Sequence, residues 1–342
     1  MNTRLLGIID ATTFFEDLIE LTRHRSVAAI PFGGRYRLID FVLSNMVNSG
    51  IQSVAIFPKY EYRSLMDHLG SGKNWDLNRK RDGLFFFPSS IFDKPSRDIG
   101  SFDNYAANID FLKRSTQEYA LISKANLIFN IDFEKLLEWH IENGCDISEV
   151  RKDGQSLEIF VIKTELLLEL IVSRYKTGYL GMRDVVTDID SPYRVCYFNF
   201  DEYAVTVNSV KSYFSASMDL LNLEIWKKLF LKDRPILTKV KDEPPTRYAK
   251  TAVVHNSMVA NGAEIQGKVE NSIIARGVKI AKGAVVKNCI IMQKSQIGEN
   301  CVLDHAILDK DVRVESGVAI TGTQEAPYIL KKGLVQGVRM NS

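Results

Sequence analysis

The first two thirds of the chain alternate short aliphatic runs with stretches whose apolar residues recur three and four positions apart. The aliphatic runs of strand length are residues 5–9, 54–57 and 120–122. The stretches with helical spacing are residues 44–49, 103–114, 134–143 and 166–175. This alternation predicts an α/β domain on a mostly parallel sheet, with its ligand beyond the carboxyl ends of the strands.

The last third of the chain follows a different rule, a repeat of 17 residues. Residues 269–274 read VENSII, residues 286–291 read VKNCII, and residues 303–308 read LDHAIL. Glycines mark the turns between these units, and aliphatic residues recur every six positions within one unit. This hexapeptide pattern predicts a parallel β-helix, in which each short strand turns one aliphatic side chain inward and the coils stack to bury it.

The polar stretch between the two patterns predicts a linker, because it contains three of the nine prolines. The domain organisation predicted is therefore an α/β domain over residues 1–231, a linker over 232–248 and a β-helix over 249–342. The expected role of the β-helix is scaffolding and assembly. Acyl transfer, which some β-helices perform with a histidine, is disfavoured because His255 and His305 fit structural positions.

Composition narrows the function classes. Of the 342 residues, 44 are Lys or Arg and 42 are Asp or Glu, so the net charge is +2 and no general affinity for nucleic acid or an anionic membrane is indicated. No apolar run approaches the ~20 residues that span a bilayer. The four cysteines are widely spaced, which predicts neither a zinc site nor a disulfide framework, and favours a reduced, cytoplasmic protein.

The densest local motif is residues 28–41, which read AAIPFGGRYRLIDF. The two glycines allow backbone N–H groups to approach a ligand, and Arg35 and Arg37 could bind an anionic group through their guanidinium forks. The alternative is a solvated loop in which Arg37 pairs with Asp40 and only orders the turn. The residues alone leave both interpretations open.

The same motif resembles the sugar-nucleotide pyrophosphorylases, in particular glucose-1-phosphate adenylyltransferase (ADP-glucose pyrophosphorylase). The resemblance extends over almost the whole chain, including the NIDF segment at 130–133, the ASMDLL segment at 216–221 and the C-terminal repeat. It implies a Rossmann-like nucleotidyltransferase domain with a mixed sheet, followed by a left-handed β-helix. The family reaction joins ATP and glucose 1-phosphate to give ADP-glucose and pyrophosphate in bacterial glycogen synthesis.

The phosphate-binding positions that this resemblance implies are altered. The family loop Gly-Gly-x-Gly-x-Arg-Leu holds the triphosphate by backbone N–H groups, but residues 12–18 read TTFFEDL and contain no glycine. Asp17 stands where the arginine is expected, which turns attraction into repulsion. The position of the family's phosphate-binding lysine is Val27.

The metal-binding positions are altered as well. The family holds Mg²⁺ through two aspartates, and the matching residues in this chain are Asn126 and Thr206. Asp132 remains, but a lone carboxylate before a helix is better explained as its N-cap. The family's sugar-binding motif is missing, and we expect the strands around the Asp153-Gly154 turn to be absent. No resident cofactor is therefore expected.

These changes predict a catalytically degenerate regulatory subunit of the adenylyltransferase. Its expected partner is the catalytic subunit, in a mixed tetramer, with a homo-oligomer as the other possibility. The alternative function is an active adenylyltransferase with an atypical phosphate loop, which would need Mg²⁺. The resemblance also implies a phosphorylated small-molecule effector, and the candidate residues for binding it are Arg25, Arg37, Arg35 and His24.

Overall fold

The computed structural model describes residues 4–59, 61–89 and 101–337. The strands before the β-helix are β1 (Leu5–Ala11), β2 (Pro31–Phe32), β3 (Tyr36–Arg37), β4 (Ser53–Pro58), β5 (Gly83–Phe86), β6 (Tyr119–Lys124), β7 (Leu127–Phe129), β8 (Ile147–Lys152), β9 (Gln155–Lys163), β10 (Val195–Asn199) and β11 (Ala204–Thr206). The helices are α1 (Ile19–Thr22), α2 (Leu38–Asn48), α3 (Arg63–Leu69), α4 (Ser101–Ala107), α5 (Ile109–Arg114), α6 (Phe133–Glu142), α7 (Thr164–Thr177), α8 (Met182–Thr187), α9 (Val210–Asp219) and α10 (Leu223–Leu229).

Seven of these strands form one mixed sheet in the order β10-β8-β9-β6-β1-β4-β5. Strand β1 pairs in parallel with β4 and β6, whereas β9 runs antiparallel to both β6 and β8. The central strands are buried on both faces, because one side of the sheet packs against α2, α3 and α6 and the other against α4, α5, α7 and α8. The predicted strands and the α/β class are confirmed.

Two local predictions are wrong. The helix expected over 103–114 is broken at Asn108, whose side-chain Nδ2 donates to the carbonyl oxygen of Asn104, so α4 and α5 are separate. The strands expected to be absent around Asp153-Gly154 are present, because β8 and β9 form an antiparallel hairpin whose turn places Asp153 and Gly154 at positive φ.

The β-helix has three faces, each a parallel ladder of short strands. The first face contains β12 (Arg247–Tyr248), β15 (Glu264–Ile265), β18 (Lys279–Ile280), β21 (Gln296–Ile297), β24 (Arg313–Val314) and β27 (Val335–Gln336). The second face contains β13 (Val253–His255), β16 (Lys268–Glu270), β19 (Val285–Lys287), β22 (Val302–Asp304) and β25 (Ala319–Thr321). The third face contains β14 (Met258–Val259), β17 (Ile273–Ile274), β20 (Ile290–Ile291), β23 (Ala306–Leu308) and β26 (Tyr328–Leu330).

The 17-residue repeat is one coil of this β-helix. Inward side chains such as Val269, Val286 and Leu303 are fully buried and stack in register along the axis. At one corner Asn271 and Asn288 have positive φ, as does His305, which occupies the same position in the next coil. The predicted hexapeptide fold is confirmed.

The third face of the β-helix packs against the first domain. Ile290 and Ile307 join an apolar cluster with Phe32, Phe41 and Tyr213 of that domain. Inside this seam, Arg25 forms a two-pronged ion pair with Asp309, at 2.7 and 2.9 Å, with both side chains 3% exposed. The predicted linker lies against the first domain. There the N–H of Leu237 donates a hydrogen bond to Ser44 Oγ.

The prediction that the cysteines form no disulfide is wrong. Cys145, between α6 and β8, is bonded to Cys196 on the edge strand β10, with 5.9 Å between their Cα atoms. Strands β8 and β10 are neighbours in the sheet although 51 residues separate the two cysteines, so sequence spacing could not reveal the pair. Cys289 and Cys301 are buried thiols in the β-helix.

In the described part of the chain, no helix is long and apolar enough to cross a membrane.

We expect the Cys145→Ser/Cys196→Ser double variant to unfold more easily, because an open chain has more unfolded conformations than a cross-linked one. The free energy of unfolding should fall by about 2 to 4 kcal/mol. Urea denaturation followed by circular dichroism measures it. A reducing agent should lower the stability of the unchanged protein and leave that of the double variant alone; equal stabilities without reductant would contradict the prediction.

Candidate functional site

The first candidate site is the cleft at the carboxyl ends of β1 and β6, where an α/β domain binds its ligand. A partly buried ion pair lies there. Lys124 Nζ, at the end of β6, is 2.7 Å from Asp10 Oδ2 near the end of β1 and 3.0 Å from Thr13 Oγ1. Asp10 Oδ1 also accepts hydrogen bonds from the N–H and hydroxyl of Thr12. The loop that the resemblance matches to the phosphate cradle is thus hydrogen-bonded to the carboxylate of Asp10.

The charges of this pair stabilise one another. Burial raises the pKa of Asp10, but the Lys124 ammonium and the hydrogen bonds outweigh it, so the pKa lies below its usual value. Burial lowers the pKa of Lys124, but Asp10 and Glu158 outweigh it and the pKa is raised. Both groups are charged at neutral pH, so the Lys124 ammonium at this edge of the sheet is already balanced by the Asp10 carboxylate.

The structure gives different surroundings to Asp17 and Val27, the two residues that the resemblance matches to phosphate-binding positions. Asp17 is exposed in the 3-10 turn Glu16–Leu18. Val27 has a different environment: it is 9% exposed and belongs to the apolar seam between the domains. Val27, which the resemblance matches to the family's lysine, is therefore a packing residue in this structure.

The structure brings together Asn126 and Thr206, the two residues that the resemblance matches to metal ligands. Thr206 on β11 pairs with Leu127 on β7, directly after Asn126. The Asn126 amide is buried and donates to the carbonyl oxygen of Val207 at 2.8 Å, which closes the end of this ladder. Asp132 caps α6, because its carboxylate accepts from the N–H groups of Glu134 and Lys135. No group of three or more His, Cys, Asp or Glu in the described ranges is placed to hold a metal ion.

The second candidate site is a basic pocket of about 180 Å³ between the first domain and the β-helix. Among the described residues, its lining has seven lysine and arginine side chains and one carboxylate. The lining residues are Arg35, Tyr36, Arg37, His68, Lys239, Lys241, Arg276, Gln293, Lys294, Lys310 and Asp311. We call it the basic pocket below.

Burial, with a smaller contribution from neighbouring positive charges, lowers the pKa values of several cations of the basic pocket. Burial, followed by the charges of Arg37 and Arg25, lowers the pKa of Lys310 to about 7. Burial is also the main reason why the pKa of Arg37 falls to about 10, and it lowers the pKa of Lys241 and Arg276. A bound anion would relieve this repulsion, so the arrangement is suited to a phosphate or sulfate group.

The β2–β3 hairpin carries two of these cations, and its turn, Gly33-Gly34, has positive φ at both glycines. Gly34 has a φ of +75°, which side-chain-bearing residues rarely adopt, so this turn favours glycine; a Cβ there would only touch the carbonyl oxygen of Ile274 in the β-helix, at 3.4 Å. Arg35 is exposed and stacks on the ring of Tyr36, and the Arg37 guanidinium donates to Ser64 Oγ at 3.0 Å.

Asp40 lies behind Arg37 and is fully buried. Its carboxylate accepts from the backbone N–H of Arg37 and contacts His68 Nε2 at 2.5 Å. Asp40 therefore orders the β2–β3 hairpin through the backbone N–H of Arg37, rather than through the side-chain pair of the solvated-loop alternative. Burial lowers the pKa of His68, outweighing its hydrogen bond to Asp40.

The four effector candidates separate into two groups. Arg35 and Arg37 line the basic pocket. Arg25 does not line it, because its guanidinium is buried in the ion pair with Asp309, and His24 is exposed outside the lining. Any influence of Arg25 on a ligand would be indirect, through its charge on Lys310.

Sequence reasoning missed most of this pocket. Lys239 and Lys241 come from the predicted linker, and Arg276 and Lys310 from corners of the β-helix. A signal was present, since residues 276, 293 and 310 are spaced by 17, as are 277, 294 and 311. The repeat therefore predicts one shared corner, but not that this corner faces the first domain.

Comparison with known proteins supports both halves of the fold. Residues 16–154 match the nucleotidyl transferase family and residues 244–327 match the GlmU-like C-terminal hexapeptide family. The glycogen biosynthesis protein GlgD of Bacillus subtilis (strain 168) is 51% identical over 100% of this chain and 99% of its own length. That of Geobacillus stearothermophilus is 56% identical over 98% of each chain. Glucose-1-phosphate adenylyltransferase of Bacillus anthracis is 29% identical over 89% of this chain and 91% of its own.

Fold and matches together define a nucleotidyltransferase domain joined to a hexapeptide β-helix. Within that class, the chain belongs to the GlgD family of glycogen biosynthesis proteins, with glucose-1-phosphate adenylyltransferases as more distant relatives. The resemblance derived from the sequence motifs is confirmed.

We expect Arg25→Ala to destabilise the protein, because it leaves the Asp309 carboxylate buried without its partner. Breaking one side of a buried pair costs about 3 to 5 kcal/mol, measured as the free energy of unfolding in urea. Arg35→Ala is the control: its side chain is exposed, and we expect a change within about 0.5 kcal/mol. Equal effects of the two variants would contradict the structural role of Arg25.

Sulfate binding to the basic pocket should weaken as pH rises from 6 to 8. Lys310, with a pKa of about 7, is charged below that pH and neutral above it, while sulfate keeps its charge throughout. Loss of one nearby positive charge should weaken binding about fivefold, measured by calorimetry at both pH values. Lys310→Met should bind weakly with a flat profile. A flat profile in the unchanged protein would contradict the assignment.

Proposed function

We propose that this chain is a catalytically degenerate regulatory subunit that associates with an active glucose-1-phosphate adenylyltransferase subunit and binds a phosphorylated effector in the basic pocket. The observation that carries the proposal is the contrast between the two sites. In the cleft, Lys124 is neutralised by Asp10, and the metal positions are Asn126 and Thr206. In the basic pocket, the cations outnumber the single aspartate.

The cleft lacks the features that stabilise a departing pyrophosphate. A phosphate cradle needs backbone N–H groups open to the ligand and cations available to it. Here Asp10 accepts the N–H of Thr12 and binds the ammonium of Lys124. An amide and a hydroxyl are poor substitutes for two carboxylates as Mg²⁺ ligands. The proposal therefore includes no resident metal or cofactor.

Regulation requires that effector binding differs between two states of the complex. The basic pocket is placed for this, because its walls come from the β2–β3 hairpin, the segment before the β-helix and the β-helix corners. A ligand held by Arg37 and Lys310 contacts both domains, so its binding depends on how they fit together. The names of the GlgD relatives support a role in glycogen biosynthesis.

The other candidate is an active adenylyltransferase with an atypical phosphate loop, favoured by the 29% identity to the named adenylyltransferase. A single measurement distinguishes it from the first proposal. The purified chain is incubated with ATP, glucose 1-phosphate and Mg²⁺, and pyrophosphate release is followed. We expect a rate at least about 10³-fold below that of a catalytic subunit, because electrostatic stabilisation by the phosphate cradle is missing. A comparable rate would establish the alternative.

Mixing the chain with a catalytic subunit should change the response of that subunit to inorganic phosphate or phosphorylated sugars. The Arg35→Ala/Arg276→Ala variant should weaken this response about tenfold, because it removes two cations from the basic pocket. Arg247→Ala, an exposed arginine of the first face, is the control and should change nothing. If no complex forms, or the mixture behaves as the catalytic subunit alone, the regulatory proposal fails.

A further inference from the structure

Lys310 contributes to the basic pocket an amine that has no carboxylate partner. It lies at the corner of the β-helix between β23 and β24. The carboxylate of the preceding residue, Asp309, binds the Arg25 guanidinium at 2.7 and 2.9 Å and accepts the backbone N–H of Lys310 at 2.7 Å. Among the described residues, no carboxylate forms an ion pair with Lys310 Nζ. These contacts fix the backbone of Lys310 and leave its Nζ without a counter-charge.

The surroundings of Lys310 favour the uncharged form of its amine. Burial has the largest effect on its pKa, followed by the positive charges of Arg37 and Arg25. Lys241 lowers the pKa further, whereas Asp309 raises it. With a pKa of about 7, roughly half of these side chains are neutral at neutral pH, where an ordinary lysine is almost entirely ammonium. A desolvated lysine beside other cations is a nucleophile.

The other charged and titratable groups of the basic pocket keep it positive when Lys310 is neutral. Lys239 Nζ donates to the carbonyl oxygen of Asp67 at 2.6 Å, and the His68 ring contacts Asp40. The charged residues of the lining not yet named here are Arg35, Arg276, Lys294 and Asp311. Because cations outnumber the single carboxylate of this lining, an anion can bind in the cavity that also presents the free amine.

The arginines of the basic pocket are suited to hold a phosphate group in this cavity. The Arg37 guanidinium donates to Ser64 Oγ at 3.0 Å, which orients it, and a guanidinium fork matches two phosphate oxygens. Arg276 lines the same cavity of about 180 Å³. In an acyl phosphate, a single bridging oxygen joins the phosphorus to the carbonyl carbon. Binding of the phosphate group therefore brings an electrophilic carbon into the cavity that Lys310 lines.

We propose that Lys310 is a modification site, acylated at Nζ by small acyl phosphates that bind to the basic pocket through their phosphate group. The Nζ lone pair attacks the carbonyl carbon and forms a C–N bond. The bond between that carbon and the bridging oxygen breaks, and its electron pair leaves with inorganic phosphate. The phosphate takes the proton that Nζ loses. The product is a neutral amide, so acylation removes the charge of Lys310 at every pH.

The modification adds a covalent reaction to the anion binding that the proposed function assigns to the basic pocket. It rests on that binding, but it does not depend on a catalytic subunit. Because the amide does not titrate, protein acylated at Lys310 should bind sulfate weakly and with a flat pH profile, as the Lys310→Met variant should.

Acetyl phosphate is the probe, and the full chain is treated with it over the range from about pH 6 to pH 9. Peptide mass spectrometry gives the second-order rate constant of acetylation at each lysine. Lys282, an exposed lysine at the corner between β18 and β19, is the matched control. At about pH 7, Lys310 should react at least about tenfold faster than Lys282. Its rate constant should level off above about pH 8, because this profile reports the pKa in the free protein, while that of Lys282 keeps rising.

Two further samples separate guidance by the phosphate group from reactivity of the amine alone. Saturating sulfate should slow acetylation of Lys310 and leave that of Lys282 unchanged. The Arg35→Ala/Arg276→Ala variant should acetylate Lys310 about tenfold more slowly with acetyl phosphate, because two cations of the pocket are lost. The same variant should react as the unchanged chain does with acetic anhydride, which carries no phosphate. Thermal melting checks that the variant is folded.

Selective acetylation of Lys310 that sulfate prevents supports the modification site. Acetylation of Lys310 no faster than that of Lys282, absence of protection by sulfate, or equal selectivity with acetyl phosphate and acetic anhydride overturns it. Calorimetry of sulfate binding separates this inference from the proposed function. Sulfate binding without selective acetylation contradicts the modification site alone, whereas absence of sulfate binding also contradicts the effector pocket.

Discussion

The packing of the β-helix against the first domain is the constraint on which the rest of the structure depends. Aliphatic side chains of the third face fill a seam that also contains the buried pair of Arg25 and Asp309. Two charges removed from water are tolerated only in good geometry, so this pair permits little sliding or rotation between the domains. The basic pocket depends on this packing, because Arg37 and Lys310 come from different domains and line the same cavity.

The two sites differ in how their positive charges are balanced. At the cleft, Lys124 forms an ion pair with Asp10, and the N–H of Thr12 in the following loop donates to the same carboxylate. At the basic pocket, burial and mutual repulsion lower the pKa of Arg37 and Lys310, so the free protein stores unfavourable charge there. Affinity for phosphate follows unneutralised charge, and in this chain such charge is concentrated at the domain boundary.

The sequence revealed what depends on periodicity and motif spacing, and missed what depends on distant segments meeting. The 17-residue repeat gave the coils, and the motif around Arg35 and Arg37 gave one wall of the pocket. The opposite wall came from a corner of the repeat whose orientation depends on how the domains dock. Likewise Cys145 and Cys196 meet only because β8 and β10 are neighbours in the sheet, and Arg25 is buried only because Asp309 comes from the β-helix.

The triangular cross-section of the β-helix separates its tasks in space. The third face is buried against the first domain, and the corner between the third and first faces, which carries Arg276 and Lys310, forms the basic pocket. The second face lies opposite that corner, so contacts made there leave the pocket open to a ligand. A repeat whose inward residues must stay aliphatic can still vary its outward residues independently on each face. The inward residues thus maintain the coil, while the outward residues can give each face its own charge and polarity.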